Sequence, residues 1–263
     1  MYNLFTKTIY DKRSFIIGWG LGMAFIGYLM TIFYPAFHQD NGLGQLIQSL
    51  PPAFKGLIGS LDNLKEVSTY LGSQLFDIRM PIFLSVLTIL LATGLTVSEE
   101  EKGQLRTLIG LPISRFGIVL QKWLASLVIC LIAMIATVIG IKIGLLTINE
   151  SLDWMVLVRL GAMTWLLSVA LMTIIFGIGL ATGKKGLTTG IGVVITVGSF
   201  LLTTFAQSVD WLSSYEKLSI LHYFHATDIA KGTINLSDVI LYMVLIAVPL
   251  IVAFIGFRRR DVR

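Results

Sequence analysis

The sequence has few charged residues, a single cysteine and only three histidines. Charged residues make up 13% of the chain, about half the share that is usual in soluble globular domains. The lone cysteine, Cys130, lies in an apolar run, so it forms no internal disulfide, and we interpret it as a small buried hydrophobe. Zinc-finger spacings, aromatic RNA-binding motifs and basic tracts between polar helices are also missing, which argues against nucleic acid as a partner.

Apolar residues dominate what is present. They make up 55% of the 263 residues, and the mean hydropathy is +0.83. A soluble protein of this size cannot bury so much apolar surface, so lipid must be one of its solvents. A bilayer-spanning helix needs about 20 mostly apolar residues. Six runs qualify, namely Ser14–Phe33, Ile78–Val97, Gly117–Leu146, Trp154–Thr182, Leu187–Ala206 and Val239–Phe257. They predict an all-α, polytopic bundle of six transmembrane helices in a single domain over residues 1–263.

Lysine and arginine are distributed unevenly around these runs. Thirteen of the twenty lie before the first run, between the second and third or at the start of the third, between the fourth and fifth, or after the sixth; they are Lys7, Lys12, Arg13, Lys102, Arg106, Arg115, Lys122, Lys184, Lys185, Arg258, Arg259, Arg260 and Arg263. By the positive-inside rule, this side faces the cytoplasm, which also accounts for the net charge of +5. We therefore expect a multi-pass protein of the cell membrane with both termini in the cytoplasm.

Three segments outside the runs have patterns of their own. Residues 1–13 predict an amphipathic helix that can lie along the inner leaflet, because their apolar side chains share one face. Residues 38–77 are expected on the extracellular side and include helical spacing over residues 43–50. Residues 207–238 are rich in aromatic and polar residues, so we expect them on the extracellular side too.

The segment 98–115, on the cytoplasmic side between the second and third runs, has well-defined helix ends. Ser98 and Glu101 have the spacing of a capping box with Ser98 as the N-cap, and two further glutamates occupy the first turn, where the helix dipole favours negative charge. An apolar stripe follows, and a glycine and a proline then end the helix. The pattern predicts one short amphipathic helix, after which Ser114 caps the next helix.

Two interpretations of this short helix are open. A capped helix can simply lie on the membrane surface. A rigid element between two spans can also transmit displacement between the bundle and something docked beneath it, which would make it a coupling helix. The well-defined ends favour the second interpretation, because an ordinary loop does not need them.

The same segment carries the most specific motif of the chain. Residues 99–105 read EEEKGQL and residues 111–115 read LPISR. These residues resemble the conserved cytoplasmic loop of ABC-transporter permeases of the type-2 exporter class, although Gln104 stands where that family commonly has threonine. The amphipathic N-terminus, Tyr34-Pro35 after the first run and the layout of six runs are similar as well. The resemblance therefore covers nearly the whole chain.

The resemblance implies a half-transporter. Such permeases pair, as identical or related chains, to give twelve spans, and they bind two separate ATPase subunits that hold ATP and magnesium. The permease then needs no cofactor and no catalytic site of its own. The nearest approach to a phosphate-binding loop, at Gly177–Lys185, has Ile178 where glycine is required and Lys185 where serine or threonine is required. The residues that we expect to bind the ATPase are Glu99, Glu100, Glu101, Leu105, Arg106, Leu108 and Arg115.

Hydroxyl side chains recur in the second and fifth runs, which border the central pathway in the resembled family. We expect Ser85, Thr88, Thr196 and Phe200 to face that pathway. Hydrogen bonding between helices explains the hydroxyls equally well.

Other polar groups have simpler explanations. His222, His225 and Asp228 could meet on one helical turn, but a third strong ligand is not evident, so we interpret them as interfacial residues and expect no metal site. Lys142 and Arg159 lie near the outer ends of their runs, where snorkelling and ion pairs with nearby carboxylates explain them. Glycines spaced for helix packing are found at Gly18–Gly22, Gly140–Gly144 and Gly186–Gly190.

Two functions of other classes stay open. Glu100, Glu101 and Arg106 come near the motif of intramembrane prenyl-protein proteases, which suggests a membrane-embedded hydrolase. Their spacing is one residue too long, however, and the candidate histidines are expected across the membrane. A non-catalytic scaffold or immunity protein is the other alternative. A hydrolase would keep its activity when purified without an ATPase, whereas a scaffold would show neither activity nor an ATPase partner.

Overall fold

The computed structural model of the chain is a bundle of helices. It describes residues 3–38, 66–110, 113–206 and 210–260, and every regular element within these ranges is a helix. Six helical segments are long and apolar enough to cross a membrane. The predicted all-α bundle with six spans is therefore confirmed. The predicted helix over residues 43–50 lies outside the described ranges.

The helices follow one another along the chain in this order. The first part of the chain contains α1 (Leu4–Asp11), α2 (Arg13–Ile32), α3 (Tyr34–His38), α4 (Val67–Tyr70), α5 (Met80–Leu95), α6 (Val97–Glu101) and α7 (Gln104–Ile109). The second part contains α8 (Arg115–Thr147), α9 (Trp154–Thr182), α10 (Lys185–Ala206), α11 (Asp210–Ser213), α12 (Ala226–Ala230) and α13 (Leu236–Arg259). A π-helix over Leu71–Arg79 joins α4 to α5, and the 3-10 turns Glu216–Leu218 and Leu221–Tyr223 precede α12.

The spans agree with the predicted runs except at the start of the second. The six spans are Arg13–Ala36, Val67–Glu101, Arg115–Thr147, Trp154–Thr182, Lys185–Ala206 and Leu236–Arg259. The second span begins at Val67, well before the predicted Ile78. The polar residues in between look like a loop in the sequence. Ser73 and Gln74 are nevertheless buried, and their side chains bond within the same helix, so helical structure continues through them.

The second and fourth spans form the centre of the bundle. Most of their residues are buried, whereas the first, fifth and sixth spans bury only a small share of theirs. α2 packs along α8, α13 packs along α9, and α10 lies against α5. Large apolar side chains such as Leu21, Val194 and Val248 are exposed on the outer spans. A surface of this kind requires lipid or a protein partner.

Small residues bring the first and third spans together. A Cβ on Gly140 would collide with the carbonyl oxygen of Ala24, and one on Gly144 would lie 2.6 Å from a side-chain carbon of α2. This glycine pair therefore packs in the way that its spacing predicts. The pairs Gly18–Gly22 and Gly186–Gly190 do not, because nothing in the described part of the chain lies within 4 Å of a Cβ at those positions.

The basic segments gather at one end of the bundle, which we call the basic end; the opposite end is the far end. Lys12 reaches the last turn of α5, Lys185 reaches α6, and Arg115 reaches the end of α13. These contacts join parts of the chain that the predicted topology places on one side.

At the far end, residues 219–220 of the predicted extracellular segment lie beside the spans. The hydroxyl of Ser219 donates to the carbonyl oxygen of Ser199 at 2.8 Å. The hydroxyl of Tyr242 donates to the carbonyl oxygen of Ile220 at 3.0 Å. Ser199 lies about two turns before the end of α10, or about 10 Å along the helix axis. This part of the segment therefore lies beside the spans.

Two basic residues near the far end are held differently from the prediction. The structure forms no ion pair between Lys142 or Arg159 and the nearby carboxylates of Glu150 and Asp153. The ammonium of Lys142 lies 3.4 Å from a backbone carbonyl oxygen and 5.5 Å from the ring centre of Trp154. The carboxylate of Asp153 is used instead as the N-cap of α9, where it accepts a backbone N–H.

Candidate functional site at the basic end

The segment between the second and third spans folds as two short helices rather than the single capped helix that the sequence predicts. α6 begins at Val97, directly after Thr96, so Ser98 is already inside the helix and its assignment as N-cap is wrong. The chain bends at Thr96 (φ −116°, ψ −94°), and the helix restarts immediately after the bend. α6 ends at a turn in which Gly103 adopts φ +70°, a left-handed conformation that suits glycine.

Two lysines satisfy carbonyl groups at the bend. The ammonium of Lys12 donates to the carbonyl oxygen of Gly94 at 3.2 Å, and that of Lys122 donates to the carbonyl oxygen of Leu95 at 2.9 Å. The last carbonyls of a helix lack partners within it and carry partial negative charge, so ammonium groups stabilise them. The bend is therefore held from the α1–α2 junction and from the third span.

Three consecutive glutamates in α6 each pair with a basic residue of a different span. The pairs are Glu99–Lys122, Glu100–Arg260 and Glu101–Lys185. Neighbouring residues of a helix point in different directions around its axis, so one short helix can reach three neighbours. As a result, α6 is tied at once to the third span, the end of the sixth and the start of the fifth.

These ion pairs differ in burial and therefore in strength. The side chain of Lys122 is 1% exposed and that of Glu99 is 17% exposed, whereas Glu101 and Lys185 are each 51% exposed. Exposed pairs contribute about 0–1 kcal/mol, while removing one partner of a buried pair costs about 3–5 kcal/mol because the other charge is left uncompensated. Of the two pairs, the one between Glu99 and Lys122 therefore contributes more to holding the segment in place.

Arg260 joins α6 to two further elements. Its guanidinium lies against Gly183, which ends α9 at φ +63° and has no side chain to obstruct the contact. Arg115 holds the backbone there, since its Nη1 donates to the carbonyl oxygens of Arg260 at 2.8 Å and Phe257 at 2.9 Å. The sequence indicates only an orientation role for the arginines after the last span, so this contact was missed. The sequence feature that could have indicated this contact is the predicted location of these arginines on the same side of the membrane as the glutamates.

The third span begins as predicted. The hydroxyl of Ser114 accepts the backbone N–H of Gly117 at 3.0 Å, which makes Ser114 the N-cap of α8. This capped start fixes Arg115 at the first position of the helix, from where it reaches the end of α13.

The predicted amphipathic helix α1 covers this site with its less polar face. Leu4 and Thr8 are buried, and together with Leu108 they line a cleft between α1 and the segment after the bend. The backbone N–H of Phe5 donates to the side chain of Gln121 at 3.2 Å, which fixes α1 to the third span. α1 therefore packs against the third span and the segment after the bend.

Most of the residues predicted to bind an ATPase make contacts inside this chain. Leu105 and Leu108 are buried, and Arg106 lies in α7. The predicted residues bound to other elements through their charged groups are Glu99, Glu100, Glu101 and Arg115. Residues 101–104, at the turn between α6 and α7, are exposed, and we call them the tip of the segment.

Comparison with known families agrees with this arrangement. The chain matches the profile described as ABC-2 family transporter protein over residues 2–262, which is nearly its whole length. The chain belongs to the ABC-2 transporter family. It is therefore a multi-pass membrane protein and a permease component of an ABC transporter. No curated protein matches it significantly. Membership of the family suggests a membrane subunit without catalytic activity.

The residues predicted to face the pathway lie on the second and fifth spans of the permease, and these two spans pack against each other. Ser85, Thr88 and Thr196 are buried, and each hydroxyl donates to a carbonyl oxygen of its own helix at 2.6 to 2.9 Å. Phe200 is partly buried. In this arrangement, the three hydroxyls bond within their helices rather than between them.

The histidines of the permease lie at the far end. Nδ1 of His222 is 3.2 Å from a carboxylate oxygen of Glu216, and the rings of His222 and His225 are 5.9 Å apart. Within the described ranges, no group of three or more His, Cys, Asp or Glu side chains could hold a metal ion. Glu100 lies at the basic end, so it does not meet these histidines.

Proposed function

We propose that this permease is the membrane half of an ATP-driven exporter in the cell membrane. Two copies, or one copy and a related permease, form the translocation pathway. Two separate ATPase subunits, which hold ATP and magnesium, bind at the basic end on the cytoplasmic side. The observation that supports this proposal best is the attachment of one short segment to three spans through consecutive ion pairs.

The exposed tip of the segment is the proposed contact with the ATPase. It carries a charge of each sign, on Glu101 and Lys102, and such charges set the register of an interface. Leu105 and Leu108 are buried beneath the tip and support it from inside the permease. Glu99, Glu100 and Arg115 fix the tip relative to the spans.

This attachment would pass movement of the ATPase to the spans. A displacement of α6 acts on the third span through Lys122, on the sixth through Arg260 and on the fifth through Lys185. Because ATP changes the conformation that the ATPase favours, its binding and release would shift the bundle between two arrangements through differential contacts.

The fifth span offers a surface for the second permease. Val194, Val197 and Leu201 are exposed along one face, and a Cβ on Gly190 would have open space around it among the described residues. We assign the second permease to this face and lipid to the other exposed apolar faces. The pathway then lies between the two halves, bordered by the second and fifth spans.

Co-purification tests the proposal. The permease is expressed with the ATPase encoded by the neighbouring reading frame, and bound ATPase and permease-stimulated ATP hydrolysis are measured. We expect Lys102→Glu to lower the bound ATPase roughly tenfold, because it replaces attraction by repulsion at the contact. Lys217→Glu, the same change at an exposed position of the far end, should leave binding intact.

The outcomes also separate the alternative functions. Equal binding by both variants would place the ATPase elsewhere on the permease. A wild-type permease that hydrolyses a substrate without any ATPase would be a membrane-embedded hydrolase. One that shows neither activity nor an ATPase partner would be a scaffold or immunity protein.

A further inference from the structure

The cleft between α1 and the segment after the bend is lined by charged and polar groups from both of its walls. It has a volume of about 200 Å³. Lys7, Asp11 and Lys12 line it from α1 and the residue that follows α1, while Glu99 and Gln104 line it from α6 and α7. The cleft can therefore hold a small polar group in contact with both walls.

Positive charge in and around this cleft exceeds negative charge. The carboxylate of Glu99 is already paired with Lys122. Lys7 and Lys12 both repel the charge of Lys122, so three ammonium groups lie near one another. Asp11 is exposed and forms no ion pair with Lys7 or Lys12 in the described part of the chain. Three ammonium groups against two carboxylates leave a net charge of +1, which favours an anion as the occupant.

The hydrogen-bond donors of the cleft are largely unused. Among the described residues, the ammonium of Lys7 has no partner, and that of Lys12 has one, the carbonyl oxygen of Gly94 at 3.2 Å. The side-chain amide of Gln104 has no partner in these ranges either. An ammonium group carries three donors, so both lysines can donate further. Phosphate oxygens accept such charge-assisted hydrogen bonds, and a phosphate group therefore matches the cleft in charge and in bonding.

The cleft lies at the level where lipid headgroups are expected. α1 leads directly into the first span through Lys12. Tyr10 is 64% exposed, and the guanidinium of Arg13 lies 4.3 Å from its ring centre. Aromatic and basic side chains of this kind are typical of the membrane interface. Ile17 and Leu21, farther along the same span, are 60% and 68% exposed and offer an apolar surface for acyl chains. A neighbouring lipid is therefore the nearest source of phosphate.

We propose that the cleft binds the phosphate of an anionic phospholipid, with Lys7 and Lys12 as its ligands. By the predicted orientation of the basic end, this lipid belongs to the inner leaflet. It stays bound as part of the permease and is not the transported substrate. Because Lys7 belongs to α1 and Gln104 to α7, the bound phosphate joins α1 to the segment after the bend. Unlike the ion pairs of α6, this connection depends on the lipid composition of the membrane.

Thermal unfolding in mixed micelles tests the site. The purified, delipidated permease in a neutral detergent receives increasing mole fractions of dioleoylphosphatidylglycerol, and the unfolding temperature is measured. We expect this temperature to rise and level off, and the mole fraction at half of the rise gives the apparent affinity. Lys7→Gln should weaken the apparent affinity about fivefold, because one lysine near an anionic surface contributes about 1 kcal/mol.

Two matched variants and two other additives show whether the effect belongs to the cleft. Lys184→Gln removes an exposed lysine at the same end that does not line the cleft, and Lys7→Arg keeps the positive charge, so both should bind the lipid as the wild type does. Equal affinities of Lys7→Gln and the wild type would overturn the proposal. An equal rise with dioleoylphosphatidylcholine would overturn it too. An equal rise with the same concentration of inorganic phosphate would overturn the lipid as the occupant and assign the cleft to a soluble anion.

Cysteine labelling locates the bound lipid. Gln104→Cys lines the cleft, whereas Lys102→Cys lies on the tip and is not among the residues that line it. Each variant is placed in nanodiscs of phosphatidylcholine with or without phosphatidylglycerol, and its rate of reaction with uncharged N-ethylmaleimide is measured. Phosphatidylglycerol should slow Gln104→Cys at least threefold more than Lys102→Cys, and equal slowing would overturn the proposal. Both tests use the permease alone, so their failure would leave the proposed function standing.

Discussion

Lys122 illustrates how one side chain sets the geometry of the basic end. Its buried ammonium bonds the carbonyl oxygen of Leu95 and pairs with Glu99. We expect Lys122→Met to lower the free energy of unfolding by about 3–5 kcal/mol, because the carboxylate of Glu99 would be left without its cation. Thermal unfolding of the purified permease in detergent measures the loss.

Two further variants separate this ion pair from a general effect of losing a lysine. Lys102→Met changes an exposed lysine and should alter the free energy of unfolding by less than about 0.5 kcal/mol. The double variant Lys122→Met with Glu99→Gln should recover much of the loss, since no unpaired charge remains. A Lys122→Met permease that unfolds at the wild-type temperature would contradict this account.

At the level of single residues, the sequence predicts local contacts well and distant ones poorly. Ser114 caps α8 as expected, because an N-cap depends only on the next three residues. Ser98 fails as a cap because the bend at Thr96 depends on ammonium groups from Lys12 and Lys122, which are distant in sequence. The partners of the glutamates were missed for the same reason.

Among the helices, the contact between the first and third spans is set by backbone approach. A Cβ on Gly140 would collide with a backbone carbonyl oxygen, which cannot rotate aside as a side chain can. We therefore expect Gly140→Ala to destabilise the permease by about 1–3 kcal/mol. Gly18→Ala, in open space on the first span, should be neutral within about 0.5 kcal/mol. Similar unfolding temperatures for the two variants would show that the spans separate more easily than the structure indicates.

The attachment of α6 to the end of the sixth span gives a second prediction at this scale. Arg260→Glu should cost about 3 kcal/mol, because it places two carboxylates together in a partly buried site with Glu100. Lys185→Glu reverses the charge of an exposed pair and should cost less than about 1 kcal/mol. Exchange of the two charges, Glu100→Arg with Arg260→Glu, should recover part of the loss. If the exchanged variant has a lower free energy of unfolding than Arg260→Glu alone, the two residues do not act as a pair.

Whole helices were easier to predict than their ends. The fourth span runs over Trp154–Thr182 in both the prediction and the structure, because lipid requires a long apolar run that a sequence displays directly. The π-helix was missed, since its polar residues indicate a loop unless the helices that bury them are known. α12 and its contact with Asp77 were missed for a similar reason, because they depend on segments 149 or more positions apart.

Over the whole molecule, specific polar contacts are concentrated at the two ends. The basic end has ion pairs from α6 to three spans, and the far end has the hydrogen bonds from α12 to Asp77. Between them, apart from hydrogen bonds that Trp123 and Trp165 donate between the third and fourth spans, the spans meet mainly through apolar side chains and glycines. Apolar contacts are non-directional and tolerate small sliding movements better than hydrogen bonds do. In a bundle of this kind, the middle parts of the spans can shift relative to one another. The polar contacts at the two ends then determine which conformation is stable.

That mechanism requires the basic end to face the ATPase in the cytoplasm, and cysteine labelling of intact cells tests the orientation. Gln104→Cys lies on the exposed tip and Lys217→Cys on the exposed far end, while Cys130 is buried and contributes little background. By the positive-inside rule, an impermeant maleimide should label Lys217→Cys in intact cells and Gln104→Cys only after permeabilisation. Labelling of Gln104→Cys from outside would place the ion-paired segment beyond the reach of cytoplasmic ATP, and no ATPase subunit could then act on the spans through α6.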